Sequence, residues 1–143
     1  MTATTKATRP SDSRRAALRK ADDATVGGIP LVSNMFSIDR YFEAAEKLLN
    51  CFNVAYKERR LDDAYVYGRR FAKFSLDSLP SHQHYRAERH WLQKTKNNQD
   101  MADVVVKLET VVQWMDQEEL QKEEEELRIG DGGLETRLVQ TSD

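Results

Sequence analysis

The stretch LDDAYVYGRRFAKFSLDSLP, from Leu61 to Pro80, constrains the fold more than any other. At about 100° per residue, Ala64, Tyr67, Gly68, Phe71 and Phe74 share one arc of a helix. Tyr65, Ala72, Leu76 and Leu79 share a second arc beside it. Together they span about 200° of the circumference. Asp62, Asp63, Arg69, Arg70, Lys73 and Asp77 form the polar remainder, with Val66 among them. A helix apolar over that width has to touch two neighbours. Gly68 lies inside the apolar face next to Ala64. A glycine within a helix costs up to about 1 kcal/mol relative to alanine, and close approach of another helix over two small residues offsets that cost. The pattern predicts a central helix over 62–78, sandwiched between others.

The neighbours are also legible. From Ser37, the residues Ile38, Tyr41, Phe42, Ala45, Leu48, Leu49, Phe52, Ala55 and Tyr56 follow the 3, 4, 7 spacing of an amphipathic helix. KERRLDD then makes a tight connection in which Asp62 suits an N-cap. Leu79 precedes Pro80, which disfavours the α region there and predicts the end of the central helix. A shorter helix is expected through Tyr85, Trp91 and Leu92, and KTKNNQD reads as a break or an exposed bridge. The last long helix is expected from about Asn98, with Met101, Val104, Val105, Leu108, Val111, Val112 and Met115 on one face. Beyond Met115 that face turns to Glu119, Lys122, Glu123 and Glu126, so the helix leaves the bundle, and Gly130, Gly132 and Gly133 end it. Near the N-terminus, Ser11 or Ser13 suits the cap of a short helix bearing Ala17, Leu18 and Ala21. Gly27, Gly28 and Pro30 mark a linker whose Ile29, Leu31 and Val32 are placed to lie across a core.

These elements predict an all-α bundle of three long helices and one or two short ones, with a protruding acidic helix end. The expected divisions are a disordered basic tail over 1–10, a helical domain over 11–128 and a flexible tail over 129–143. Charge is unevenly placed. Residues 1–20 carry six bases against Asp12 alone, and residues 116–126 carry seven acids against Lys122 alone. Such blocks read as solvated tails or exposed faces. The net charge of −2 lacks the clustered basic excess of a nucleic-acid binder. With Cys51 as the one cysteine, an internal disulfide is impossible, which fits a reducing compartment. No apolar run approaches the roughly 18 residues of a membrane span.

Catalytic constellations are not evident. Cys51 has no adjacent base or oxyanion donor in the pattern and reads as a small hydrophobe. His82, His84 and His90 lack the further ligands that zinc requires and read as a loop and an exposed helix start. GDGG at 130–133 lacks the strand and helix that flank a phosphate loop. The expectation is a chain with no catalytic residues, no metal and no cofactor.

One resemblance adds to this reading. SRRAAL (13–18), IPLVSNMFSIDRYFEAAEKLL (29–49) and DDAYVYGRRFAKFSLDSLPSHQHYR (62–86) resemble a domain shared by two kinds of deubiquitinase. It is the N-terminal helical domain of the AMSH-type JAMM deubiquitinases and of one endosomal ubiquitin-specific protease. It is called the ubiquitin-specific-protease dimerisation domain and is related to MIT modules. Leu79, Pro80, His82 and Tyr85 match its most specific run, whereas Gly68 stands where relatives carry a larger residue. The likeness runs from about Ser13 to about Glu126 and includes no JAMM or Cys/His protease domain. It implies a cytoplasmic, non-catalytic interaction module peripheral to endosomes. Such a module binds helical ESCRT-III-type tails or dimerises with a copy of itself. It implies neither nucleic-acid nor integral membrane contact. A wide apolar arc rimmed by bases suits an amphipathic acidic helix lying in a groove. The expected partner-binding residues are Tyr65, Val66, Arg69, Arg70 and Lys73, with Trp114 opposite.

Overall fold

The computed structural model describes residues 8–142, and side-chain surroundings as far as residue 129. Four α-helices make up the fold: α1 (Asp12–Asp23), α2 (Ile38–Lys57), α3 (Leu61–Lys73) and α4 (Trp91–Ser142). No strand occurs among the described residues. α3 packs on both α2 and α4, which touch one another more sparsely, so α3 is the central element as expected. Ile38, Tyr41, Phe42, Ala45, Leu48, Leu49, Phe52 and Ala55 of α2 are all buried, and the hydroxyl of Ser37 caps the helix by accepting from the Asp39 amide at 3.2 Å. Val104, Val111, Val112 and Met115 supply the wall from α4.

The glycine of α3 lies where three helices meet. A Cβ at Gly68 would stand 2.6 Å from Leu108 Cδ2 of α4 and 3.0 Å from Phe52 Cδ1 of α2. Real side chains do not approach so closely, so the helix spacing depends on the missing Cβ. Phe52, Phe71 and Phe74, which pack around this region, are all completely enclosed. Truncating one such phenylalanine costs about 3–5 kcal/mol in a well-packed core.

Several boundaries differ from those expected. Arg60, not Asp62, is the N-cap of α3. Asp62 and Asp63 lie in its first turn, where carboxylates favour the positive end of the helix. The chain does not leave the helix at Leu79. Phe74–Ser78 form a π turn, Leu79–Ser81 a 3-10 turn, and Leu79 itself is helical at φ −58° and ψ −45°. Pro80 falls in the opening turn of that 3-10 segment, where its missing N–H leaves no helical bond unmade. The wider π turn changes the register, so that Phe74, Ser75 and Leu79 face inward and Leu76 outward. The chain becomes extended at His82.

α4 begins at Trp91 after a 3-10 turn at Glu88–His90, so the expected separate helix through Tyr85 and Trp91 is absent. KTKNNQD is continuous helix, held in part by Asn97, whose buried amide donates to Ser75 Oγ at 3.2 Å. The helix also runs through Gly130, Gly132 and Gly133, where an end was expected. Val105 is exposed rather than part of the inner face. In the linker, Ile29 and Val32 pack against the core, but Leu31 does not. Of the expected tail 1–10, residues 1–7 lie outside the described residues, while Arg9 belongs to the fold through its bond to Asp116.

The connection between α2 and α3 is closed by an Arg in a left-handed conformation. Arg59 has φ 57°, with its N–H donating to the Tyr56 carbonyl and the next N–H, from Arg60, donating to Ala55. This double closure usually employs glycine. Here the arginine gains a second role, because its guanidinium lies 3.6 Å from the centre of the Trp114 ring.

The contact at Gly68 yields a coupled expectation. Gly68→Ala forces Leu108 aside and destabilises the protein by about 1 kcal/mol, in the range typical of overpacking. In a Leu108→Ala background the clash with Leu108 is gone and the 3.0 Å approach to Phe52 remains, so the same change costs less than it does in the wild type. Thermal or urea denaturation of the four proteins measures both values.

Candidate partner-binding site

The six residues singled out from the sequence do not form one open face. Tyr65 is 6% exposed, and its hydroxyl accepts from Arg19 Nη1 of α1 at 2.8 Å. Val66 is half-buried. Trp114 lies apart from the others, against the end of α2. Its ring stacks 5.4 Å from that of Tyr56 with Arg59 on it, so it closes the bundle. Arg69, Arg70 and Lys73 are brought together. With Asp22, Asp23, Thr25, Gly27, Gly28 and Ile29 they line a cavity of about 210 Å³ between α3, the end of α1 and the linker.

The three cations differ in what they already hold. Arg70 donates through Nε to Asp22 Oδ1 at 2.7 Å, with Nη2 at 2.6 Å from the same oxygen. Both side chains are largely enclosed, at 18% and 10% exposure. A Cβ at Gly28 would come within 3.1 Å of the Arg70 Nε, so the linker glycine lets the guanidinium lie flat against the backbone. Arg69 rests near the Tyr65 ring, 5.9 Å from its centre. Lys73 is exposed. Arg69 and Lys73 have no carboxylate partner among the described residues, so the cavity can take an acidic group from elsewhere.

The element that shapes this site is one that pattern reasoning undervalued. α1 buries no residue fully. Leu18 packs against the core from one side, and polar contacts do the rest. Arg14 bridges Asp62 at 2.8 Å and Glu118 at 2.9 Å. Arg9 bridges Asp116 at 2.8 Å and Glu109 at 3.0 Å. Ser11, wholly enclosed, occupies the N-cap position without capping. Its amide and hydroxyl both donate to Asp116 Oδ1, at 2.9 and 2.5 Å. The basic N-terminal block and the start of the acidic block are therefore partners for one another, not two solvated ends. Burial disfavours the charged form of Asp116, but the bonds from Ser11 and Arg9 outweigh it and hold its carboxyl below the usual range.

The histidines also differ from expectation. His84 is exposed, but His82 and His90 are buried. His82 accepts the His84 amide at Nδ1, at 3.1 Å, which leaves Nε2 to donate to the Phe36 carbonyl at 2.8 Å. It therefore ties the linker to the turn after α3. A mixed polar and aromatic loop gives no periodicity from which this burial could be read. Cys51 is exposed rather than packed as a small hydrophobe. No group of three or more His, Cys, Asp or Glu side chains among the described residues could hold a metal ion. No helix among them is long and apolar enough to cross a membrane.

Comparison with known proteins gives a partial match to a curated protein. AMSH-like ubiquitin thioesterase 1 of Arabidopsis thaliana is 31% identical over 83 residues, covering 54% of this chain and 15% of the relative. The chain thus aligns with a small part of that protein. No protein-family model matches.

The Asp116 clamp has a definite pH dependence. Because the folded carboxyl titrates below its unfolded counterpart, the stability it contributes is complete above the usual carboxylate pKa of 3.8. That contribution is lost as the pH falls from there through the lower folded value. Asp116→Asn is expected to lower the denaturation midpoint at neutral pH and to narrow its difference from the wild type below about pH 3.5. Denaturation of both proteins across pH 2–7, in steps of about half a unit, measures the difference.

Proposed function

We propose that the chain is a non-catalytic helical interaction module of the endosomal sorting and deubiquitination system, and that it binds acidic helical tails of the ESCRT-III type. The observation that carries this reading is the convergence of Arg69, Arg70 and Lys73 around one cavity on the central helix. Two cations there lack carboxylate partners among the described residues, and a third shows, through Asp22, how a carboxylate is held. The all-helical bundle and the partial likeness to an AMSH-like ubiquitin thioesterase support a connection with the ubiquitin pathway. The module works in the cytoplasm and reaches endosomes through its protein partners.

The recognition would be electrostatic at the rim and apolar beneath. An acidic amphipathic helix offers carboxylates to Arg69 and Lys73 and an apolar side to the linker residue Ile29 at the cavity wall. Complementary charge of this kind speeds encounter and sets orientation, and salt weakens it.

A second reading has its own support. α4 runs on past its contacts with Arg9, Ser11 and Arg14, and Leu120, Leu127 and Ile129 are exposed along it. A homodimerisation scaffold would cover such positions. Light scattering at high protein concentration separates the two readings, since a monomer that binds tails excludes the scaffold.

An NMR titration with acidic ESCRT-III tail peptides tests the first reading. Shifts are expected at 69–73 and around Gly28. Arg69→Glu together with Lys73→Glu should weaken binding at least tenfold at low salt and by less at high salt. Unchanged affinity in that double variant would place the site elsewhere.

A further inference from the structure

We infer that α1 is a built-in competitor for the partner-binding face, holding Arg70 through Asp22 until an incoming acidic helix displaces it. The inference rests on the reading above and specifies how that site is regulated.

Asp22 of α1 is a carboxylate presented by a helix, and its partner Arg70 is a largely enclosed cation of the face. An acidic partner helix would make the same contact. α1 is therefore seated as the ligand is expected to be seated. Arg19 of the same helix reaches the Tyr65 hydroxyl, so α1 covers a second residue of the face. What remains open is the cavity edge formed by Arg69 and Lys73, which offers a first foothold to an arriving carboxylate.

The way α1 is held makes it displaceable. It buries no residue fully, and its anchors are the ion pairs of Arg9 and Arg14, the Ser11 contacts with Asp116 and the partly buried Leu18. Releasing such a helix uncovers Tyr65 and the contacts of Leu18, but it withdraws no fully buried side chain of α1 from the core. The contrast with α2 is direct, since eight residues of α2 are buried. The linker over 24–37, with Gly27 at φ 81° and Gly28 beside it, keeps α1 tethered after release. The tether gives α1 a high effective concentration, so it lowers the apparent affinity for a partner by the fraction of time it is docked.

The test uses the full chain and a fluorescent amphipathic peptide of about 20 residues, with glutamates on one face and leucines on the other. Two variants loosen α1 from opposite ends. Asp22→Asn acts at the shared cation. Arg14→Gln acts at the first turn of α3 and on α4, away from the cavity. Competition predicts that both bind the peptide about 3- to 10-fold more tightly than the wild type. It also predicts that saturating peptide accelerates amide exchange over 12–23 in the wild type. Thermal melting confirms that both variants retain the bundle.

If Asp22→Asn binds more tightly but Arg14→Gln matches the wild type, the effect is local charge and the competition is overturned. If α1 amides stay protected in the saturated complex, it is overturned as well, while tail binding stands. If the wild type and both variants all fail to bind, the proposed function falls and the competition falls with it.

Discussion

The close approach of three helices at Gly68 is the constraint on which the rest of the structure depends. Phe52 from one side and Leu108 from the other occupy the space a side chain would need. That allows α3 to serve as a shared wall for α2 and α4, which otherwise meet less extensively. The enclosed phenylalanines of α2, α3 and the π turn then fill a single core. With both sides of α3 committed in this way, its remaining face carries Asp62, Arg69, Arg70 and Lys73 toward α1 and solvent. The location of the candidate site is thus a consequence of packing, since the cations occupy the part of α3 that the core leaves over.

The molecule is held together at two levels. α2, α3 and the first half of α4 are joined by apolar burial, which is insensitive to salt and moderate pH. α1 is joined to them by charge. Arg14 of α1 meets Asp62 and Glu118, Arg9 just before the helix meets Glu109 and Asp116, and Asp22 meets Arg70. Ion pairs near the surface are weak singly and screened by salt. A helix held in this way can come and go on a fixed scaffold, a property suited to a module that exchanges partners.

The sequence was most legible where one periodicity ruled. The eight buried positions of α2 follow from spacing alone, as does the role of Gly68, because each depends on which side of a helix a residue occupies. Legibility failed where geometry departed from 3.6 residues per turn or where partners were far apart in the chain. The π turn at Phe74–Ser78 carries the helical path through Leu79, against the local preference before proline. Ser11, like Ser13, suits a local cap by its position, but its partner Asp116 lies 105 residues away. The two charge blocks were each readable as solvated surface, and only the fold shows that they meet. The candidate site divides the same way. The grouping of Arg69, Arg70 and Lys73 was visible on a helical wheel, whereas the engagement of Arg70 by Asp22 and the enclosure of Tyr65 were not. Trp114, expected opposite a partner, stacks with Tyr56 and carries Arg59 on its ring, contacts between chain-distant residues that spacing does not show.

The central claim is that α1 is an electrostatically docked element on a core that does not need it. Native-state amide exchange at about 20 mM and about 500 mM salt tests this most directly, since screening lengths differ severalfold between the two. The account predicts that protection over 12–23 drops at high salt while the amides of α2 and α3 exchange as before. Equal protection of α1 at both salt concentrations, or a loss shared by α1 and α3 together, would contradict it.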